Sequence, residues 1–137
     1  MNKPKTKTES YDVGLSVRKK VMGLPHVEQT LESSSPFSRP IQDLITEYAW
    51  GKVWSRPGLD LKSRSILTLG MLTALNRSTE LAGHVRGALN NGLTEEEILE
   101  VLLQTMVYCG APAAQESFRI AEKVISEFKM GSKGQQG

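Results

Sequence analysis

The sequence predicts an all-α protein, and three observations support that prediction. Between Tyr11 and Phe128, apolar residues recur every three or four positions, which is the spacing of one helix face. Runs in which β-branched and polar residues alternate, as they do in strands, are very few. Glycines that favour helix ends, such as Gly23 and Gly110, divide the pattern into segments of helical length. We therefore expect a single-domain bundle of about six to seven helices over residues 11–129.

The first half of the chain contains three of the predicted helices. The first spans about Tyr11–Met22 and ends at a Gly-Leu-Pro sequence. A short helical segment around His26–Leu31 leads into a Ser-Ser-Ser-Pro break. The third helix, Pro40–Trp54, carries a broad apolar stripe and ends at an Arg-Pro-Gly turn.

The second half of the chain contains the more apolar helices. Leu61–Leu75 is the most apolar segment, and we expect it to be the buried centre of the fold. An Asn-Arg-Ser-Thr sequence supplies cap residues for a helix that runs to about Leu89. Thr94 and Glu97 have the spacing of a capping box, which predicts the start of an amphipathic helix. The last helix is expected over Pro112–Phe128, with a proline in its first turn.

Composition and charge exclude several classes of protein. The apolar fraction of 39% and the charged fraction of 23% are typical of a folded globular chain. The net charge is only +2 and several lysines lie in the terminal segments, so the body lacks the basic face that nucleic acids require. No stretch has the length and apolarity of a membrane span, and no apolar segment follows the N-terminal lysines as in a signal peptide. We expect a cytoplasmic protein with a mobile arm at 1–10 and a mobile tail at 130–137.

Motifs for metals, nucleotides and redox cofactors are missing from the sequence. Cys109 is the only cysteine, which excludes an internal disulfide, a C-x-x-C pair and a cysteine-based zinc cluster. His26 and His84 lie far apart, without an H-E-x-x-H motif, and no glycine-rich phosphate loop is present. We therefore expect neither a metal nor a cofactor. By residue type, Cys109 is expected in the core, His26 at the surface, and Trp50 and Trp54 in the core or at a subunit contact.

The main candidate for chemistry is the sequence RSTELAGH, which runs from Arg77 to His84. Glu80 and His84 are four residues apart, so on a helix they share one face and lie one turn apart. The helix dipole favours a carboxylate in the first turn, and an ionised Glu80 would favour the protonated form of His84 and hold its ring in one tautomer. This pair suits proton transfer. The alternative is an ordinary Glu–His pair on a solvated helix face.

Arg64 is a second candidate because it lies within the most apolar predicted helix. If its side chain points inward, it requires a carboxylate partner or an anionic ligand, since an unpaired buried charge is costly. The alternative places it on the polar side of the helix, in water beside Lys62. The spacing of the residues leaves both positions open.

Over about residues 11–128 the chain resembles the carboxymuconolactone decarboxylase family. Three phrases carry the resemblance most specifically: DLITEYAWG at 43–51, ELAGHVRGALNNG at 80–92 and VYCGAPAA at 107–114. The resemblance implies an alkylhydroperoxidase-like helical fold. It also implies a homo-oligomer built from trimers, commonly a ring-like hexamer.

Redox members of the same superfamily carry the motif C-x-x-C-x-x-x-H. Here its two cysteine positions fall on Arg77 and Glu80, while its histidine position falls on His84. The redox dithiol is therefore absent, and peroxidase chemistry of that type lacks its nucleophile.

The resemblance implies a carboxy-lyase that converts 4-carboxymuconolactone to the enol-lactone of 3-oxoadipate. This reaction belongs to the protocatechuate branch of aromatic catabolism, in the β-ketoadipate pathway. The departing carboxylate is joined through a carbon–carbon double bond to the lactone carbonyl, which accepts the electron pair when carbon dioxide leaves. No cofactor is needed because the substrate carries its own electron sink.

The implied site uses the candidates already identified. His84 would donate the proton to carbon, and Glu80 would orient it and tune its charge. Arg64 and Arg77 would bind a substrate carboxylate or the lactone oxyanion. Arg86 is a weaker choice, because on a straight helix it points away from His84.

Tyr48 and Glu47 are further candidates for lining the same pocket. Two alternatives to the decarboxylase also follow from the sequence. One is an enzyme on the same scaffold that acts on another lactone or keto acid, and the other is a non-catalytic oligomeric binding protein.

Overall fold

A computed structural model describes residues 7–134 of the chain, including the side chains of residues 7–132. Within that range it contains α-helices and one π-helical segment, and no strand. The predicted all-α class is confirmed, and none of the described helices is long and apolar enough to cross a membrane. The helices are α1 (Glu9–Met22), α2 (Leu24–Ser33), α3 (Arg39–Leu44), α4 (Leu61–Ala74), α5 (Ser78–Asn90), α6 (Glu95–Cys109) and α7 (Ala111–Gly134), and the π-helical segment Ile45–Trp54 continues directly from α3.

The first and last helices extend into the terminal segments that were expected to be mobile. α1 begins directly after Thr8, whose Oγ1 accepts a hydrogen bond from the N–H of Tyr11 at 3.1 Å and so caps the helix. α7 continues to Gly134, because a glycine near the end of a helix weakens it without breaking it. The rest of the predicted arm and tail, at 1–6 and 135–137, lies outside the described residues.

The chain divides between Leu59 and Asp60 into two compact units. The first unit contains α1, α2, α3 and the π-helical segment, and the second contains α4 to α7. The single domain predicted over 11–129 would contain both units and stays a prediction.

In the first unit, α1 packs against the π-helical segment through two glycines. A Cβ atom on Gly14 would lie 1.9 Å from the carbonyl oxygen of Thr46, and one on Gly51 would lie 2.1 Å from that of Ser10. The two backbones therefore approach so closely that glycine is required at both positions.

Arg18 of α1 donates hydrogen bonds both to the π-helical segment and to α3. Its Nη1 donates to Oγ1 of Thr46 at 2.9 Å, and its Nη2 donates to Oε1 of Gln42 at 2.8 Å. Burial lowers the pKa of the Arg18 guanidinium from its ordinary value, since removal from water disfavours the charged form. Neutral oxygens thus replace part of the hydration that this buried cation has lost.

The second unit is built around a core of apolar side chains from all four of its helices. Its hairpin of α4 and α5 is closed at one end by a hydrogen bond from the N–H of Arg77 to the carbonyl of Leu72 at 3.0 Å. At the other end, Nδ2 of Asn91 donates to Oγ of Ser65 at 2.9 Å. The buried core residues are Leu69, Leu81, Val85, Ala88, Leu93, Ile98, Leu102, Ala121, Val124 and Ile125.

The expectation that α4 forms the buried centre is only partly met. Leu69 is fully buried, together with the small polar residues Ser65 and Thr73. Leu67 and Met71, however, are about half exposed. The apolar residues of α4 therefore cover two faces of the helix, of which one packs into the core and the other lines a groove.

The predicted start of α6 is confirmed in atomic detail. Oγ1 of Thr94 accepts a hydrogen bond from the N–H of Glu97 at 3.0 Å, and Oε1 of Glu97 accepts one from the N–H of Thr94 at 3.0 Å. Each residue thereby satisfies a backbone donor of the other, as a capping box requires.

Candidate active site

Arg77, Glu80 and His84 lie along α5 in the order predicted. Arg77 is the cap residue before the helix, Glu80 lies in its first turn, and His84 lies one turn further on. Residues spaced by three, four and seven share one side of an α-helix, so the three form one stripe. The backbone at the start of the stripe is fixed, because the carbonyl of Arg77 accepts a hydrogen bond from the N–H of Leu81 at 2.9 Å.

Burial differs along this stripe. Arg77 and Glu80 are exposed, whereas His84 is half buried and its Nδ1 atom is shielded from solvent. The neighbouring Leu81 and Val85 belong to the core. His84 therefore lies at the edge of the apolar core, and the two charged residues lie at the water-facing end of the stripe.

Arg64 lies in the first turn of α4 and is half buried, with its Nε atom shielded from solvent. The sequence left open whether Arg64 simply lies in water beside Lys62. The surroundings of the two side chains differ. Nζ of Lys62 is paired with Oε2 of Glu97 at 2.9 Å near the surface. The contact of Asn91 with Ser65 places the start of α4 beside the end of α5. Arg77 therefore lies at the start of α5, and Arg64 of α4 lies beside its end. His84 lies between these two positions along the helix axis.

Glu47 and Tyr48 lie in the first unit, on the π-helical segment. Glu47 is half buried, and its Oε1 accepts a hydrogen bond from Oγ1 of Thr8 at 2.9 Å. Tyr48 is exposed, with Nζ of Lys52 4.9 Å from the centre of its ring. The structure describes these two residues within their own unit, so their place in a common pocket with His84 stays a prediction.

A large apolar groove of about 580 Å³ lies between α4 and α6 of the second unit. It contains Cys109, which was expected in the core and is instead half buried at the wall of the groove. Neither Glu80, His84, Arg64 nor Arg77 lines this groove. The groove could not be predicted from the sequence, because residues on two apolar faces of one helix have the same periodicity as a single broad buried face. Its lining residues are Ile66, Leu67, Gly70, Met71, Ala74, Glu100, Val101, Gln104, Thr105, Tyr108 and Cys109.

Among the described residues, no three His, Cys, Asp or Glu side chains lie close enough together to hold a metal ion. The side chains of the stripe themselves supply a proton donor, a carboxylate on the same side of the helix and a guanidinium for an anion.

Comparison with known proteins relates this arrangement to one family. A sequence profile described as the carboxymuconolactone decarboxylase family matches residues 39–123, a range that contains all six candidate site residues. Nitrosuccinic acid decarboxylase of Metarhizium robertsii is 50% identical over 117 residues, which cover 85% of this chain and 82% of that protein. The 4-carboxymuconolactone decarboxylase of Acinetobacter baylyi is 41% identical over 119 residues, which cover 87% of this chain and 89% of that protein. Both are named as decarboxylases, so the predicted enzyme class, a carboxy-lyase, is confirmed, while their names give two different substrates.

Proposed function

The chain belongs to the carboxymuconolactone decarboxylase family, and we propose that it decarboxylates a small polycarboxylic acid that carries its own electron acceptor. The observation that carries this proposal is the stripe of Arg77, Glu80 and His84 on one side of α5, inside the range that matches the family. It provides a group for a substrate anion and a group that returns a proton to carbon.

The first candidate substrate is 4-carboxymuconolactone. When the bond between its ring carbon and the departing carboxylate breaks, the electron pair moves through the ring double bond onto the lactone carbonyl oxygen. Carbon dioxide leaves, and a proton is added at the carbon next to that carbonyl to give the enol-lactone of 3-oxoadipate. The similarity to the bacterial 4-carboxymuconolactone decarboxylase supports this candidate.

Nitrosuccinate is the second candidate, and the 50% identity to the fungal nitrosuccinic acid decarboxylase supports it. Its departing carboxylate sits on the carbon that bears the nitro group. The electron pair of the broken bond moves into the nitro group to give a nitronate, and protonation of the carbon then gives 3-nitropropanoate. Both reactions release one carbon dioxide, consume one proton and need no external electron sink.

Each predicted residue has a role in this chemistry. His84, as the imidazolium, donates the proton to carbon and then takes another from water, and Glu80 favours its charged form. Arg64 and Arg77 bind substrate anions. Glu47 and Tyr48 are the further candidates for contact with substrate, and the described hydrogen bond from Thr8 holds Glu47 in place. The leaving carboxylate needs a weak contact, because firm binding of a charge that disappears in the reaction opposes the reaction.

The proposal extends to assembly and location. We propose a cytoplasmic homo-oligomer built from trimers, with a hexamer as the complete form. The exposed apolar residues along α4 and α6, among them Leu67 and Tyr108, support association, since single-chain proteins rarely expose large contiguous apolar patches. Analytical ultracentrifugation of the purified chain tests this directly, and a monomer at micromolar concentration would contradict it.

The first test is decarboxylation of the two acids by the purified chain, with a chelator present and no cofactor added. We expect carbon dioxide release from freshly prepared 4-carboxymuconolactone, from nitrosuccinate or from both, well above the spontaneous rate. A folded protein that accelerates neither reaction would favour the non-catalytic alternative.

The second test addresses the proton donor. His84→Ala should lower kcat on the order of 100-fold or more, because a positioned general acid contributes that much. Glu80→Gln should lower it less, since glutamine keeps a hydrogen-bonding group and loses only the charge. His26→Ala is the matched control, because it removes the other histidine of the chain, at an exposed position of α2. Near-normal turnover by His84→Ala would refute the assigned role.

A further inference from the structure

We propose that Arg77 binds the carboxylate that remains on the substrate, so that the enzyme selects acids with a carboxymethyl arm on the carbon that loses carbon dioxide. This inference rests on the proposed decarboxylase function and deepens it. It defines a substrate class, the 2-substituted succinates with an electron acceptor at C2, and assigns one side chain to its recognition.

The chemistry of the two candidate acids supports a shared substrate class. In 4-carboxymuconolactone, one ring carbon bears both the departing carboxylate and a carboxymethyl arm. In nitrosuccinate, the carbon that bears the nitro group has the same two substituents. The acceptors differ completely, one being a conjugated lactone and the other a nitro group. The feature common to both acids is therefore the succinate skeleton, whose second carboxylate takes no part in the reaction.

The geometry of α5 suits this skeleton. Arg77 and His84 are seven residues apart, which on an α-helix corresponds to about 10 Å along the axis and about 20° around it. A small acid lying along the stripe can place its arm at the arginine and the carbon that accepts the proton at the imidazole. The exposed end of the stripe receives the permanent charge, and the half-buried His84 meets the carbon that accepts the proton.

The other arginines near α5 suit this role less well. Arg86 is two residues from His84, so it projects from the opposite side of the helix, and its Nη2 lies 3.7 Å from Oε2 of Glu127. Arg64 lies on α4, beside the end of α5 that is farthest from Arg77. Arg77 also has a fixed backbone, while its exposed side chain is not needed to cap α5.

Binding at the arm also fits the energetics of the reaction. The arm keeps its charge from the ground state to the product, so a contact with Arg77 does not oppose loss of carbon dioxide. Such a contact holds the substrate in place and raises kcat/KM for acids that have the arm. A contact of equal strength to the departing carboxylate would stabilise the ground state and slow the reaction.

The test compares each acid with an analogue that lacks the arm. Nitroacetate keeps the nitro group and the departing carboxylate of nitrosuccinate, and 2-methyl-5-oxo-2,5-dihydrofuran-2-carboxylate keeps those of the lactone. With spontaneous rates subtracted, the wild-type enzyme should prefer the acid with the arm on the order of 100-fold in kcat/KM, as expected for a charge-paired contact. In Arg77→Gln this preference should fall below about 10-fold, because activity is lost on the acid with the arm and kept on the analogue.

Two variants complete the experiment. Arg77→Lys keeps the charge without the two-pronged contact and should give an intermediate preference. Arg86→Gln removes one positive charge from the same helix and should keep the wild-type preference. Circular dichroism of each variant establishes that α5 is formed.

Each outcome has one meaning. If the wild-type enzyme decarboxylates an acid and its analogue equally well, or if Arg77→Gln loses activity on both in proportion, the inference is overturned while the decarboxylase function stands. If no acid is decarboxylated, the proposed function fails and the inference with it. A preference that collapses in Arg77→Gln and persists in Arg86→Gln supports the assignment of Arg77.

Discussion

The two units of the chain hold their helices together in different ways. In the first unit, α1 and the π-helical segment meet backbone to backbone at Gly14 and Gly51, and Arg18 adds a buried hydrogen bond between them. In the second unit, α4 to α7 meet through apolar side chains such as Leu69 and Leu102, which are almost completely buried. Packing in the first unit depends on the lack of a side chain at two glycines. Packing in the second unit depends on large apolar side chains that fill the core.

This difference predicts opposite sensitivities. A larger residue at a glycine contact should destabilise the first unit most, because the backbone atoms it meets cannot move aside as a flexible side chain can. Truncation of a buried side chain should destabilise the second unit most. The protein then loses the transfer free energy of the removed atoms, and the walls of the new cavity lose their contacts. The candidate stripe on α5 belongs to the unit with the filled core, which gives it a rigid support.

The largest effect is expected from Leu69→Ala in the second unit. Leu69 is completely buried at the centre of its core, so truncation should lower the free energy of unfolding by about 2–5 kcal/mol. Urea unfolding followed by circular dichroism measures this loss. Leu103→Ala is the matched control, because it makes the same change at a residue of α6 that is 44% exposed, and its effect should stay within about 0.5 kcal/mol. Equal losses in the two variants would contradict the description of the core.

A smaller loss, of about 1–3 kcal/mol, is expected from Gly14→Ala in the first unit. The new Cβ atom would lie 1.9 Å from the carbonyl oxygen of Thr46, so α1 and the π-helical segment must separate. Both tryptophans of the chain, Trp50 and Trp54, stack on that segment with ring centres 4.7 Å apart. Tryptophan fluorescence during urea unfolding therefore reports on this contact.

The control for Gly14→Ala is the same substitution at Gly70. A Cβ atom on Gly70 meets nothing within 4 Å, so alanine there should raise the stability of α4 by about 0.5–1 kcal/mol. If Gly14→Ala left the fluorescence midpoint at its wild-type value, the close approach of the two backbones would be wrong.

Local features of the fold could be predicted from the sequence, because they depend on residues a few positions apart. The helices followed from apolar spacing, and the capping box of Thr94 and Glu97 followed from two residues three apart. The stripe of Arg77, Glu80 and His84 required only that α5 be a helix. Contacts between distant residues could not be predicted. Which glycines allow a backbone contact depends on how α1 pairs with a segment far along the chain.

The same limit applies to the candidate site. The spacing of Glu80 and His84 predicted their common face, whereas the shielding of Nδ1 of His84 and Nε of Arg64 depends on neighbouring helices. The groove between α4 and α6 was missed for a related reason. Exposed and buried apolar faces of one helix have the same residue types, and only the packing of other helices distinguishes them.

The smallest expected effect on stability comes from a surface ion pair of the second unit, and it is recognised by its dependence on pH. A hydrogen bond from Lys62, together with one from the N–H of Thr94, holds the pKa of the Glu97 carboxyl below its ordinary value. A lowered folded-state pKa contributes stability above the unfolded-state pKa of about 4.3, and this contribution is lost as the pH falls through the folded-state value. Glu97→Gln should therefore be less stable than wild type near pH 7, and the gap should close below about pH 4. Glu96→Gln, which removes a charge outside the capping box, should show a smaller gap in urea midpoints measured at each pH. A gap for Glu97→Gln that stayed constant from neutral to acid pH would show that the charge of Glu97 does not contribute to the stability of the second unit.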